Sequence, residues 1–185
     1  MRRTILKDYE RKNKRFSLCG LNCGLCPMFI GNHCGGCGSG NHSCKIAKCS
    51  IEHGKVEYCF ECKCYPCERY ERIDEYDSFI THKRQKADIE KAKVIGIDAY
   101  NTEQREKEKI LRYILANYND ERKKNFYCIA VNLMELSDIK GILNRIKYDQ
   151  KLPSMSIKDR CSYVANLFKE SSKRAGIEIK LNKKK

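Results

Sequence analysis

The sequence predicts a mainly α-helical protein with a small, irregular, metal-stapled block of zinc-knuckle or ribbon-like turns at its N-terminal side. Three observations carry this. Eleven of the 13 cysteines fall between Cys19 and Cys67, together with eight of the 11 glycines and three of the four histidines. That block is poor in large apolar side chains, and so short a segment needs an outside staple. Beyond it the composition changes to long stretches with apolar residues at helical spacing and no Gly or Pro clusters. The chain therefore divides into a basic N-terminal extension at 1–18, a Cys-rich metal-binding block at 19–67, and a helical region at 68–185 ending in a basic tail.

Within the block the cysteines run Cys19-x3-Cys23-x2-Cys26, Cys34-x2-Cys37, Cys44-x4-Cys49 and Cys59-x2-Cys62-x-Cys64-x2-Cys67. A C-x2-C pair on a tight turn sets two thiolates on one side of the backbone, close enough to share a tetrahedral ion. Glycines beside them, as in Cys34-Gly-Gly-Cys37-Gly38, let backbone amides turn toward sulfur and offset its charge. Cys19, Cys23, Cys26, Cys34, Cys37, Cys44, Cys49, Cys59, Cys62 and Cys67 are the candidate ligands, enough for about two zinc ions at four ligands each. In the preferred pairing Cys34, Cys37, Cys44 and Cys49 hold one ion; Cys59, Cys62 and Cys67 hold the other with the Cys19–Cys26 group. A cross-brace is equally consistent. His33, His42 and His53 are candidate substitutes for a thiol. Cys64 stands one residue from Cys62, and an extended C-x-C points its side chains to opposite faces. It is the candidate reactive thiol or extra ligand.

The alternative cofactor is an iron–sulfur cluster. Cys19-x3-Cys23-x2-Cys26 matches the spacing of radical S-adenosylmethionine enzymes. Those enzymes carry an aromatic residue where this chain has Leu25, and they need a barrel of alternating strands and helices that the sequence after Cys26 does not supply. Zinc is preferred because the short pairs resemble knuckles.

The helical region reads as follows. A first helix carries Ile89, Ala92 and Ile95 and stops at Gly96. A second starts near Asp98 or Asn101 and buries Ile110, Leu111, Ile114, Leu115 and Tyr118. Its early charge run, with Glu103–Lys107 and Glu108–Arg112 as i,i+4 pairs, is expected to be a solvated face. A third helix follows Asn119-Asp120 with Phe126, Ile129, Ala130 and Leu133 inward. Ser137 is expected to cap a fourth, with Ile139, Ile142, Leu143 and Ile146 inward. Ser156-x-x-Asp159 opens a fifth with the stripe Ile157, Cys161, Val164, Ala165 and Phe168. That helix stops at Gly176, with a short strand at 177–181 and a disordered lysine tail after it. Cys161 is then a core residue, while Cys128 falls away from its stripe, either exposed or against the Cys-rich block.

At this point the residues resemble a known family. Cys19-Gly-Leu-Asn-Cys-Gly-Leu-Cys-Pro-Met-Phe29, His33-Cys-Gly-Gly-Cys37, Cys44-Lys-Ile-Ala-Lys-Cys49 and Tyr58-Cys-Phe-Glu-Cys-Lys-Cys-Tyr-Pro-Cys-Glu-Arg69 resemble the Cys-rich family of unknown function numbered 3795. The stretch Ile95-Gly-Ile-Asp-Ala-Tyr100 looks like its members too, and the segment from Asn119 to Leu133 resembles a helical C-terminal extension of longer members. The resemblance implies a small bacterial or archaeal cytoplasmic protein with a metal-binding domain, and no known activity. Cys64 departs from the pattern, standing where a non-cysteine is expected.

With 38 Lys and Arg against 24 Asp and Glu the formal charge is +14, and thiolate binding of metal leaves the protein basic. Arg2, Arg3, Arg11, Lys12, Lys14 and Arg15 and the tail lysines are therefore candidate phosphate contacts. Nucleic acid is the leading partner class and another protein the second, although no Lys or Arg is read as interleaved with exposed aromatics as in common RNA modules. No apolar run is long enough for a membrane, and the start, Met1 to Glu10, has no apolar leader, so a cytoplasmic location is expected. There thiols stay reduced, and many cysteines read as metal ligands before disulfides. Enzyme motifs are missing. Gly35-Gly-Cys-Gly-Ser-Gly40 lacks the Gly-Lys-Ser/Thr ending of a phosphate loop, and neither His-Glu-x-x-His nor Gly-x-Ser-x-Gly occurs. All-thiolate zinc sites are usually closed, so a binding or scaffolding role is expected over catalysis, and no small-molecule substrate is identifiable.

Overall fold

The computed structural model describes residues 9–41 and 43–184. Arg2, Arg3, His42 and Lys185 lie outside the described residues. The protein is mainly helical, with no strand among the described residues beyond a single antiparallel bridge between Phe16 and Asn22. Three short helices, α1 (Pro27–Ile30), α2 (Lys45–Glu52) and α3 (Glu68–Glu71), punctuate the cysteine-rich half. Five longer ones follow: α4 (Gln85–Ile95), α5 (Ile97–Asn117), α6 (Lys124–Leu133), α7 (Leu136–Tyr148) and α8 (Ile157–Arg174). None is long and apolar enough to cross a membrane.

The main core lies among α5 to α8. Leu111 and Ile114 of α5 meet Tyr127 and Val131 of α6, Ile139 of α7 and Phe168 of α8, all essentially inaccessible. The Tyr127 and Phe168 rings pack edge-on with centroids 5.5 Å apart, a favoured aromatic geometry. The Tyr127 hydroxyl bridges Tyr118 O at 3.1 Å and Cys161 O at 3.4 Å, so its polar tip is satisfied inside the core. Leu25 reaches this core from the cysteine-rich half.

A second cluster ties the cysteine-rich half to α4 and α5. Phe16, Cys19, Tyr58 and Tyr70 pack on Ile89 and Tyr100. Polar bonds reinforce it: Asn22 Nδ2 donates to Asp88 Oδ2 at 2.9 Å and to the Tyr100 hydroxyl, and Tyr70 OH donates to Cys19 O. The turn at Gly20 needs its glycine, with φ +96° and a Cβ position 2.3 Å from Gln85 O, so α4 touches this backbone directly. Tyr9, Leu18 and Ala47 form a third, smaller cluster.

Several expectations change. Ile95 at 44% and Ile157 at 71% exposure face solvent, because each sits at the end of its helix where no neighbour covers it. The α6 stripe is rotated: Tyr127, Cys128 and Val131 are buried while Phe126 and Ile129 are half-buried, since α6 is covered by both α5 and α8. Of the two placements open to Cys128 the structure takes the second: it is buried and lies near Cys26 of the Cys-rich block. Helix α7 begins two residues early, with Glu135 at the cap and Ser137 in the first turn. Ser156 does cap α8, accepting from Asp159 N at 3.2 Å and donating to Asp159 Oδ2. The segment 177–181 forms no strand because no partner strand stands beside it. It ends pinned instead, with Asp77 N donating to Asn182 O at 2.7 Å.

The charge run of α5 is a solvated face only in part: Arg105, Lys109 and Arg112 are exposed, and Glu108 pairs with Arg112 at 2.8 Å as the spacing predicts. Gln104, Lys107 and Glu108 are buried beneath α4, α6 and the N-terminal segment. Lys107 Nζ donates to Met134 O at 2.6 Å rather than pairing with Glu103, which takes Lys91 at 2.8 Å. Burial, only partly offset by nearby Asp88, depresses the Lys107 pKa.

Candidate metal centre

Four thiols line one cavity. Cys49 comes from the last turns of α2, Cys59 opens the 3-10 turn Cys59–Glu61 and Cys62 follows it, and Cys67 holds the cap position of α3. With His53 and Tyr70 they border a partly open space of about 30 Å³. A space of that size admits one water-sized object. His53 Nδ1 stands 3.6 Å from Cys49 Sγ, one helical turn along α2. The thiols form a common wall without closing on one point: among the described residues no three Cys, His, Asp or Glu side chains stand in a ligating arrangement.

The electrostatics explain what this wall lacks. Burial pushes the Cys59 thiol far up, and the charges of Cys19, Cys67 and Cys49 push it further. Burial also raises Cys49, opposed by the Arg69 cation and aided by Cys67 and Cys62. Thiols crowded this way ionise together only beside a compensating cation, which a divalent metal supplies and which deprotonates them outright. The residue set therefore fits a single thiophilic ion.

A second group of thiols surrounds the turn before α1. Burial raises Cys19 to about 11, with Ser17 Oγ 3.2 Å away and Cys37 and Cys44 near enough to add their charge. Burial likewise raises Cys23, which then feels Cys37, Cys19, Cys26 and Cys34. The Cys34–Cys37 turn presses on the N-terminal segment: Gly36 has φ +87°, and a Cβ there would lie 2.3 Å from Lys14 O. Cys37 N donates to that same Lys14 O at 3.0 Å. Gly36 N points to Cys34 Sγ at 3.4 Å and Ala47 N to Cys44 Sγ at 3.5 Å, the backbone donation expected around thiolates.

The structure thus corrects the preferred pairing. Cys49 stands with Cys59, Cys62 and Cys67, because α2 carries it five residues, more than a full turn, past Cys44. Cys44, at the helix start, stays with Cys19 and Cys37. Cys64 is exposed and does not line the cavity. Cys128 lies near Cys26 and is pushed up to about 12, chiefly by burial. Cys161 is buried in the helical core. His33 is exposed, and His53 is the histidine at the cavity.

Of the candidate phosphate contacts, Arg11 is corrected. Its side chain is inaccessible, it pairs with Glu57 at 3.1 Å and donates to Phe16 O at 3.0 Å, and it lies beside Cys37. Nothing in its sequence neighbourhood signals this, because the partners are distant in the chain. Arg15 is half-engaged, with Nε 2.9 Å from Glu108 Oε2. Lys12 and Lys14 border a separate groove. No family model, curated protein or solved structure matches the chain.

Proposed function

We propose that this is a zinc-binding protein of the Cys-rich kind that its motifs resemble, acting in a reducing compartment such as the cytoplasm as a binding or scaffolding module. The observation that carries the proposal is the cavity walled by Cys49, Cys59, Cys62 and Cys67. Four thiols along one wall match the four-ligand shell of a single zinc ion. The six thiols at Cys19, Cys23, Cys26, Cys34, Cys37 and Cys44 supply the ligands for a second. Bound metal here supplies charge and cross-linking: it holds four thiolates and joins segments that share little apolar surface.

The role of the module is to present a basic surface built on that staple. The formal charge of +14 supports nucleic acid as the partner class, with Lys12 and Lys14 available for phosphate and Arg11 withdrawn into the fold. Protein purified without oxygen is expected to be colourless and to hold about two zinc ions per chain. A brown protein containing iron and sulfide overturns the zinc assignment in favour of an iron–sulfur or thiol redox protein.

A further inference from the structure

Arg11 is buried at the edge of the second thiol group, and its side chain has no accessible surface. Burying a guanidinium is costly unless its charge and its donors are met. Its two Nη atoms are engaged: Nη1 donates to Phe16 O at 3.0 Å, and Nη2 donates to Glu57 O at 2.6 Å and pairs with Glu57 Oε1 at 3.1 Å. The guanidinium lies over the Tyr58 ring, with Cζ 5.2 Å from its centroid. The Nε–H remains, buried and without a partner.

The turn at 36–38 is pressed onto the N-terminal segment at two points. Gly36 meets Lys14 O, and Gly38, with φ +89°, meets Arg11: a Cβ there would lie 3.2 Å from Arg11 Cγ and 3.3 Å from Arg11 N. That docking sets Cys37, between the two glycines, within hydrogen-bonding reach of the guanidinium. Cys37 in turn stands near enough to Cys19 and Cys23 to add its charge to theirs. Four thiolates around a divalent ion keep a net double negative charge, which N–H donors outside the shell must offset. Gly36 N and Ala47 N supply such donors, but both are uncharged. Arg69, the arginine at the other cavity, is exposed, so water screens its charge. Arg11 is not screened in that way. Its unpartnered Nε–H gains an acceptor once a metal makes Cys37 a thiolate, and that acceptor belongs to the chain and needs no path from solvent.

We infer that Arg11 is the buried counter-cation of the second metal shell, set against the Cys37 thiolate by the turn at 36–38 and by its bonds to Phe16 and Glu57. It is a positioning residue: it touches a ligand of the ion and not the ion. This role rests on the zinc reading above and deepens it. The metal-binding unit then begins in the N-terminal segment, not at Cys19 where the composition divides the chain, and the two ions differ in the cation that backs them.

The test uses the full-length chain, with zinc retention measured against a competing chelator and the cadmium-loaded protein read by cadmium NMR, in which each thiolate site gives its own resonance. Arg11→Met is expected to weaken one of the two ions about 10–100-fold, the loss typical of a partner outside the ligand shell, and to shift that ion's resonance while the other stays. Arg11→Lys keeps the charge and is expected to recover part of the affinity. Glu57→Gln separates charge from bracing, because it keeps an acceptor for Asn13 N and removes the carboxylate that competes for Arg11. It is expected to hold that ion as tightly as the unaltered chain or more tightly. An arginine that merely braces the segment predicts instead the same loss in Glu57→Gln as in Arg11→Met. Unchanged affinity and resonances in Arg11→Met, equal weakening of both ions, or that shared loss overturns the inference. If Arg11→Met does not fold, the other two variants decide: one shifted resonance in Arg11→Lys with tight binding in Glu57→Gln supports the role, and two unshifted resonances overturn it. Iron and sulfide in the unaltered chain, or no thiophilic metal there, overturns the zinc reading and this role with it, and is seen before any variant is made.

Discussion

The two halves of this molecule are held by different physics. Around α5 to α8 the large side chains Leu111, Ile114, Tyr127, Ile139 and Phe168 are buried on one another, and burying each such side chain contributes about 1.5–3 kcal/mol. In the cysteine-rich half the apolar clusters are smaller, one of them only Tyr9, Leu18 and Ala47, and the chain is fixed as well by glycine turns, hydrogen bonds and the docking of Phe16, Tyr58 and Tyr70 on α4 and α5, with four thiols left along one wall. The helical half carries its own stability in its side chains. On the proposed zinc reading the other half borrows it from a ligand, and that asymmetry decides which perturbations each is expected to feel.

The largest effect is expected from metal removal. Structural zinc contributes about 10–16 kcal/mol of apparent binding energy, which is as much as a whole domain's stability. Chelation should therefore abolish hydrogen-exchange protection across the cysteine-rich half and loosen the part of α4 and α5 that packs on it, while α6 to α8 stay protected. Uniform protection after complete metal loss would break the comparison.

Next is the converse change. Phe168→Ala should cost the helical half about 3–5 kcal/mol in denaturant unfolding, yet leave the zinc content unchanged. Loss of metal in that variant would mean that the halves fold as one unit.

Within the cysteine-rich half, Cys62→Ser should lose about one zinc per chain, since an incomplete thiolate shell binds weakly, and Cys64→Ser should lose none because Cys64 is exposed and off the cavity. Gly36→Ala should deplete the other ion, because its Cβ would strike Lys14 O and displace the Cys34–Cys37 turn. Elemental analysis reads all three. Equal loss in the Cys62 and Cys64 variants would move Cys64 into the ligand shell. The smallest change is Ser156→Ala, which removes the α8 cap and should cost about 1 kcal/mol, felt in the helical half alone.

How far the sequence discloses this follows the same divide. Periodicity found each long helix, since one covered face leaves a regular stripe, and it failed where a helix is covered twice or ends in solvent, as at Phe126, Ile95 and Ile157. The capping signal at Ser156 was readable because its partner Asp159 is local. Ser137 misled because Glu135, two residues earlier, supplies the cap position. Cysteine spacing marked the thiols but not their grouping, since Cys49 joins Cys59, Cys62 and Cys67 through the length of α2. The burial of Arg11 and of Lys107 was invisible: a charge is written alike in the chain whether water or a distant carbonyl receives it.

The most direct test of the central claim is X-ray absorption at the zinc edge on protein purified without oxygen, taken for the unaltered chain and for Cys49→Ser. The account predicts a shell of four sulfurs at about 2.3 Å in the unaltered protein, with one of its two ions lost in the variant. A shell dominated by nitrogen and oxygen, an iron edge in place of zinc, or full metal retention in Cys49→Ser would contradict it.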